Sequence, residues 1–417
     1  MVRLALERAP DVAHPGRFLR MVPAWGALAG LMLLVEGASL LASRWSPATV
    51  ALVHVFTLGV LGNAMFGSLL QFLPAAAGVP VRGGARLALA LHAALNLGTA
   101  ALVAGLWWPS AGLRAAGALA LGLAFALLAA ATLPGLWTRW RDSLLHAGLA
   151  LAVCLGALAA AQGAVLVAAL AGVVALPIAR WTDLHAATGV IGWVLVLLVA
   201  VGRVVMPMFQ GAPEAPARGQ AAWLLGVAFG LPLAGLPWAM AGHGLGLSAL
   251  VAVALLSVAG AGLVLQARSR KTATAPLAKA WRLGLVLLGL GGLVVAWPGA
   301  SPVLAGVLVI AVGLPLLVLG MLVEIDAFLG WISLHRGCGR GLQLPGVQTL
   351  LPLRQRRRLL QAFALAGIAL ALSALAPREW PVRLAGALLL SAYLALAWTQ
   401  RGLARRVRAF ASANSPR

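Results

Sequence analysis

Apolar runs long enough to cross a bilayer follow one another along almost the whole of this chain. A helix needs roughly 20 residues to span the hydrocarbon core. Such runs lie at approximately 20–42, 48–74, 84–107, 113–134, 143–172, 182–208, 220–241, 244–266, 280–297, 302–333, 359–376 and 382–400. Inside a membrane every backbone N–H and C=O must be bonded within its own segment, so these runs form helices. The chain is 62% hydrophobic and 10% charged over 417 residues, a balance outside the range of soluble domains. The expected fold is an all-α polytopic membrane protein of about twelve transmembrane helices, a single transmembrane domain over residues 1–417.

Charge sets the orientation. The net charge of +22 would suggest nucleic acid in a soluble protein. Here it has another cause, and no nucleic-acid partner is expected. With N and C termini cytoplasmic, the inner segments carry 25 Lys and Arg, the outer loops carry five, and Arg203 lies within a span. That asymmetry satisfies the positive-inside rule. The partner it implies is the lipid bilayer, and the basic run Arg354, Arg356, Arg357 and Arg358 reads as anchoring at anionic headgroups. The first apolar run reads as a retained span, with no cleavable signal peptide expected. Cys154 and Cys338 offer no disulfide and no CxxCH haem-attachment motif.

Two stretches resemble each other. In ALVHVFTLGVLGNAMFGSLLQFLP, His54 is followed by Thr57, Gly59 and Gly62. In WTDLHAATGVIGWVLVLLVAVGRVVMPMFQ, His185 is followed by Thr188, Gly189 and Gly192. The separation equals four spans, which places the second and sixth helices at equivalent positions in successive four-helix units. Three such units fit, at approximately 20–134, 143–266 and 280–400, and the third counterpart falls near Leu316, without a histidine.

An ionisable residue within a span is a functional candidate. His54, His185 and Glu36 are expected at similar depth near the outer face. A neutral imidazole is a good ligand for iron or copper, and a helix-start histidine bonded to a neighbouring carbonyl is the alternative. Gly59 and Gly62 remove bulk from one side of the second helix, which permits close helix packing or a flat macrocycle. Glu36 reads either as support for the histidines or as a protonated core residue. His92 and His146 lie toward the other face, and His243 sits in a short outer loop. Met206 and Met208, flanking Pro207, are soft donors that pack as readily as they bind copper. Arg203, Glu324 and Asp326 form the remaining constellation. A buried charge needs a partner, so Arg203 is expected to pair with Glu324 or Asp326, as a structural ion pair or a proton path.

His54, Met65, Phe66, Gly67, Pro74, Gly78, Pro80 and Arg86 stand in the order H…MFG…P…G.P…R. With three four-helix units, this resembles the catalytic subunit of the haem-copper oxidase superfamily. The resemblance implies that His54 is an axial ligand of haem b and that His185 stands on the helix supplying a copper ligand, with a respiratory redox partner. The chain has no His-His pair in the seventh helix and no His-x-His in the tenth, and its one tyrosine is Tyr393. It is therefore more similar to degenerate relatives, such as NnrS-like haem and copper membrane proteins, than to a competent dioxygen reductase. The resemblance thus implies a role in electron transfer, nitric oxide handling or metal handling. A secondary transporter using Arg203, Glu324 and Asp326 is the alternative, and a cofactor-free assembly factor is a third.

Overall fold

The computed structural model describes residues 7, 9–242, 246–269, 275–338 and 342–414. Among them, twelve helices are long and apolar enough to cross a membrane, as expected of a polytopic all-α membrane protein. They are α1 (Ala13–Leu41), α2 (Pro47–Ala75), α3 (Gly84–Trp107), α4 (Ala111–Trp137), α5 (Leu144–Leu170), α6 (Ile178–Gln210), α7 (Ala217–Ala241), α8 (Gly246–Ala267), α9 (Pro276–Ala296), α10 (Pro302–Gly337), α11 (Leu353–Leu375) and α12 (Glu379–Ala413).

The helix boundaries follow local chemistry. Pro47, Pro276 and Pro302 open α2, α9 and α10, where a missing N–H costs nothing. Ser110, Ser143 and Ser301 cap α4, α5 and α10 by accepting from a backbone N–H three residues on. Gly211 and Gly242 end α6 and α7 in the left-handed conformation, with φ of 66° and 72°.

Burial sorts the helices into two classes. The most apolar stretches of α2, α6 and α10 are 72%, 72% and 83% buried, whereas those of the other nine are 28–56% buried. Three central helices, four positions apart in the chain, are therefore wrapped by nine peripheral ones. The same three share a local irregularity. Each contains a π-helical segment in its N-terminal half: Val55–Gly62, Thr188–Leu195 and Val307–Gly313. A π segment widens the helix and leaves carbonyls off the regular ladder, and such segments are frequent at functional sites.

His54 is the eighth residue of α2 and His185 the eighth of α6. The eighth residue of α10 is Val309, not the Leu316 region that a constant residue spacing suggests. The helices α6–α9 are shorter in sum than α2–α5, while the connections differ little, so the register moves toward the N-terminus.

The ring of helices closes where α1 packs along α12. Gly30 and Gly386 permit this contact. A Cβ on Gly30 would stand 2.5 Å from the backbone nitrogen of Leu390, and one on Gly386 would stand 2.7 Å from that of Leu34. Near the C-terminal end of α10, Arg336 donates to the carbonyls of Ala9 and Pro10, at 2.7 and 2.8 Å.

Candidate metal centre between the second and sixth helices

His54 and His185 face each other, with ring centroids 6.3 Å apart and planes inclined by 21°. The helices that carry them are not a closely packed pair. Both side chains are half-buried. The built Cβ of Gly189, one turn from His185, meets nothing within 4 Å.

Each ring is held by one nitrogen. His54 Nδ1 lies 2.8 Å from the carbonyl of Val50, and His185 Nδ1 lies 3.0 Å from that of Ala159 on α5. A carbonyl can only accept, so Nδ1 carries the proton in both rings and Nε2 keeps its lone pair. A metal-bound histidine is oriented in the same way, by an Nδ1–H donated to a carbonyl. Gly163 seats the second ring, since a Cβ there would come 3.2 Å from His185 Cε1. The carbonyl-bonded alternative therefore describes Nδ1 of both rings and leaves Nε2 of both available.

The separation suits a shared ion. Metal–imidazole bonds of about 2.0–2.1 Å, on either side of one ion, put opposed ring centroids about 6 Å apart. The donor set also limits the kind of centre. Among the described residues no group of three His, Cys, Asp or Glu could hold a metal. Zinc and most copper sites take three or four protein ligands. A haem needs only two, because the macrocycle provides the rest.

Other residues hold the pair in place. At the outer mouth, Arg44 before α2 bonds Asp183 of α6 at 2.6 Å and clips the two helix starts together. Arg44 also lies over the ring of Trp45, 4.2 Å from its centroid. Below His54, Asn63 and Asn96 exchange amide hydrogen bonds of 3.0 Å. Trp25 Nε1 donates to Asn96 Oδ1 at 2.8 Å, and Asn63 Nδ2 donates to the carbonyl of Gly59 at 2.8 Å. This buried network fixes the rotation of α2 against α1 and α3. Deeper still, Phe66, Phe125 and Trp193 meet edge to face, with centroids 5.2–6.0 Å apart, and join α2, α4 and α6.

Sequence reasoning passed over Arg44, Asp183, Asn63, Asn96, Ala159 and Gly163. Only the two buried asparagines carry a signal in a single sequence, as amides on the apolar faces of spans.

Several expectations are corrected. Glu36 is bonded to α3: its Oε1 accepts from Trp107 Nε1 at 2.9 Å. Of the two roles expected of Gly59, close packing is the one seen: its built Cβ would lie 2.6 Å from Trp25 Cγ of α1. Gly62 is buried, with Leu95 Cδ1 3.8 Å from its built Cβ. The expected pairing of Arg203 with Glu324 or Asp326 is not formed. Arg203 bonds Glu214 at 3.2 Å and Gln220 Oε1 at 3.0 Å, because the turn after α6 folds back beneath it. Glu324 bonds Arg356 at 2.5 Å, and Asp326 accepts from Gln400 at 2.8 Å. Arg356 is thus no headgroup anchor: it is 4% exposed and also donates to the carbonyls of Leu351 and Val347.

Of the remaining histidines, His146 has both nitrogens engaged, by Ser143 and the carbonyl of Ala77, and His92 packs edge-on against Phe18. His243 lies outside the described residues. Compared with known proteins, the chain matches no protein-family model and no curated sequence.

Proposed function

We propose that this protein binds haem b between α2 and α6, with His54 and His185 as the two axial ligands, in a bacterial-type inner membrane. The observation that carries the reading is the facing pair of imidazoles, 6.3 Å apart, each with Nδ1 tied to a carbonyl. A bound haem would supply one-electron exchange. Val50 and Ala159 hold the rings in the tautomer that offers Nε2. The Arg44–Asp183 clip ties the start of α2 to that of α6, and the Asn63–Asn96 network fixes the rotation of α2. Two protein ligands leave iron no free position, which favours electron transfer with a respiratory redox partner over nitric oxide or metal handling. Dioxygen reduction is not proposed, since no second metal-binding cluster accompanies the pair among the described residues.

Copper held by the same two histidines is the competing occupant, since imidazole suits both metals. The transporter reading has no comparable support. Its three residues, Arg203, Glu324 and Asp326, are each bonded to separate partners.

The test is cofactor content. Protein purified from haem-replete cells should carry one haem b and one iron per chain, measured by pyridine haemochrome and elemental analysis. His185→Ala should lose both. Copper without iron would assign the pair to copper, and absence of both metals from wild type would overturn the reading.

A further inference from the structure

A partly open cavity lies among α2, α6, α9 and α10, C-terminal to the histidines along α2 and α6, and has a volume of ≈ 130 Å³. Its walls carry no charged residue. Phe72, Phe209, Trp281 and Phe328 line it. Trp281 shows it only a ring face, because its Nε1 is donated to the carbonyl of Leu317 at 2.9 Å.

The polar exceptions are Gln71 and Ser68, one turn apart on the same face of α2. Gln71 is 7% exposed, and both its amide nitrogen and its amide oxygen are buried without a hydrogen-bond partner. A buried amide left unsatisfied is costly, and nearly all such groups in native proteins have a partner. A polar side chain with a donor and an acceptor both unused, facing an apolar cavity, is the pattern of a ligand site.

The chemistry of the ligand follows from the walls. It is neutral, since no charge faces it. It carries one ring, because a dry cavity of about 150 Å³ takes a benzene. It bears a hydroxyl, because only a group that both donates and accepts satisfies Oε1 and Nε2 of Gln71 together. A carbonyl would serve Nε2 alone. We infer that this cavity binds the head of a membrane-soluble amphiphile, a single ring bearing a hydroxyl, in the manner of a quinol or an alkylphenol, with Gln71 as the polar anchor. Water is the rival occupant: it would satisfy Gln71 but leave the aromatic walls facing empty space. The inference does not depend on the haem reading.

The experiment is equilibrium binding to the full chain in lipid nanodiscs. The probes are a radiolabelled hydroquinone with a ten-carbon tail and the same tail on plain benzene. Wild type should bind the hydroquinone saturably and more tightly than the benzene probe. Gln71→Leu removes the amide at similar volume and should weaken hydroquinone binding about ten-fold, with benzene-probe affinity within about two-fold of wild type. Val201→Trp, which fills the cavity, should abolish both. Gln71→Met serves the same purpose if the leucine variant does not fold. Unchanged hydroquinone affinity in either Gln71 variant would overturn the proposal. Equal affinity of wild type for both probes, or no saturable binding, would do the same.

Discussion

Arg356 illustrates what a charge requires when it leaves water. Its guanidinium is satisfied on three sides, by Glu324 and two carbonyls, while Arg203 borrows a half-exposed glutamate from a loop. The two pairs should therefore respond differently to mutation. Glu324→Gln leaves a buried cation without its counter-charge and should cost about 3 kcal/mol. Arg203→Gln breaks a pair whose glutamate side chain is 56% exposed and should cost less than about 1 kcal/mol. Unfolding in mixed detergent micelles measures both, and equal losses would contradict the assignment. These partners were not legible in the sequence because helical rise gives a residue's depth but not its azimuth. The depth of His54 and His185 was legible for the same reason: both lie eight residues into a span, on helices that run the same way.

At the scale of elements, the π segments link the sequence repeat to the site. They recur in the three central helices and begin one residue after His54 and three after His185. A π segment holds extra residues relative to an α-helix, and removing one rotates everything before it by about 100°. Deleting Gly189, whose built Cβ touches nothing, should turn His185 away from His54. Cofactor binding should then fall to the level of His185→Ala, with far-ultraviolet circular dichroism unchanged. Retention of cofactor by the deletion would mean that the π geometry does not aim the histidine. Helix lengths and starts were readable from apolar runs and prolines. The π segments were not, since their residues are as apolar as those of a regular helix and backbone widening leaves no mark in composition.

Across the whole molecule, three buried helices sit within a ring of nine, and the ring closes through Gly30 and Gly386. Both glycines face backbone atoms, which cannot move aside as a side chain tip can. Gly386→Val should therefore force α1 from α12 and lower stability by about 1–3 kcal/mol, read as a fall in unfolding temperature, whereas Gly122→Val, at a position whose Cβ meets nothing, should have little effect. The number of spans followed from hydropathy alone, because the bilayer admits so few solutions. Which helices are central did not follow from hydropathy, since α8 is as apolar as α6, with a mean hydropathy of 2.4 for each, yet lies outside. The four-span recurrence of His54 and His185 marked α2 and α6 as equivalent, and their burial emerges only from the packing. The proposal that joins the scales is that two of the central helices, α2 and α6, hold two imidazoles apart for one haem. An optical spectrum of purified protein, oxidised and dithionite-reduced, tests it most directly, with wild type beside His54→Ala and His185→Ala. The account predicts a Soret band with sharp reduced α and β bands in wild type, lost on either substitution. A wild-type spectrum without a Soret band, or one that both substitutions leave intact, would contradict it.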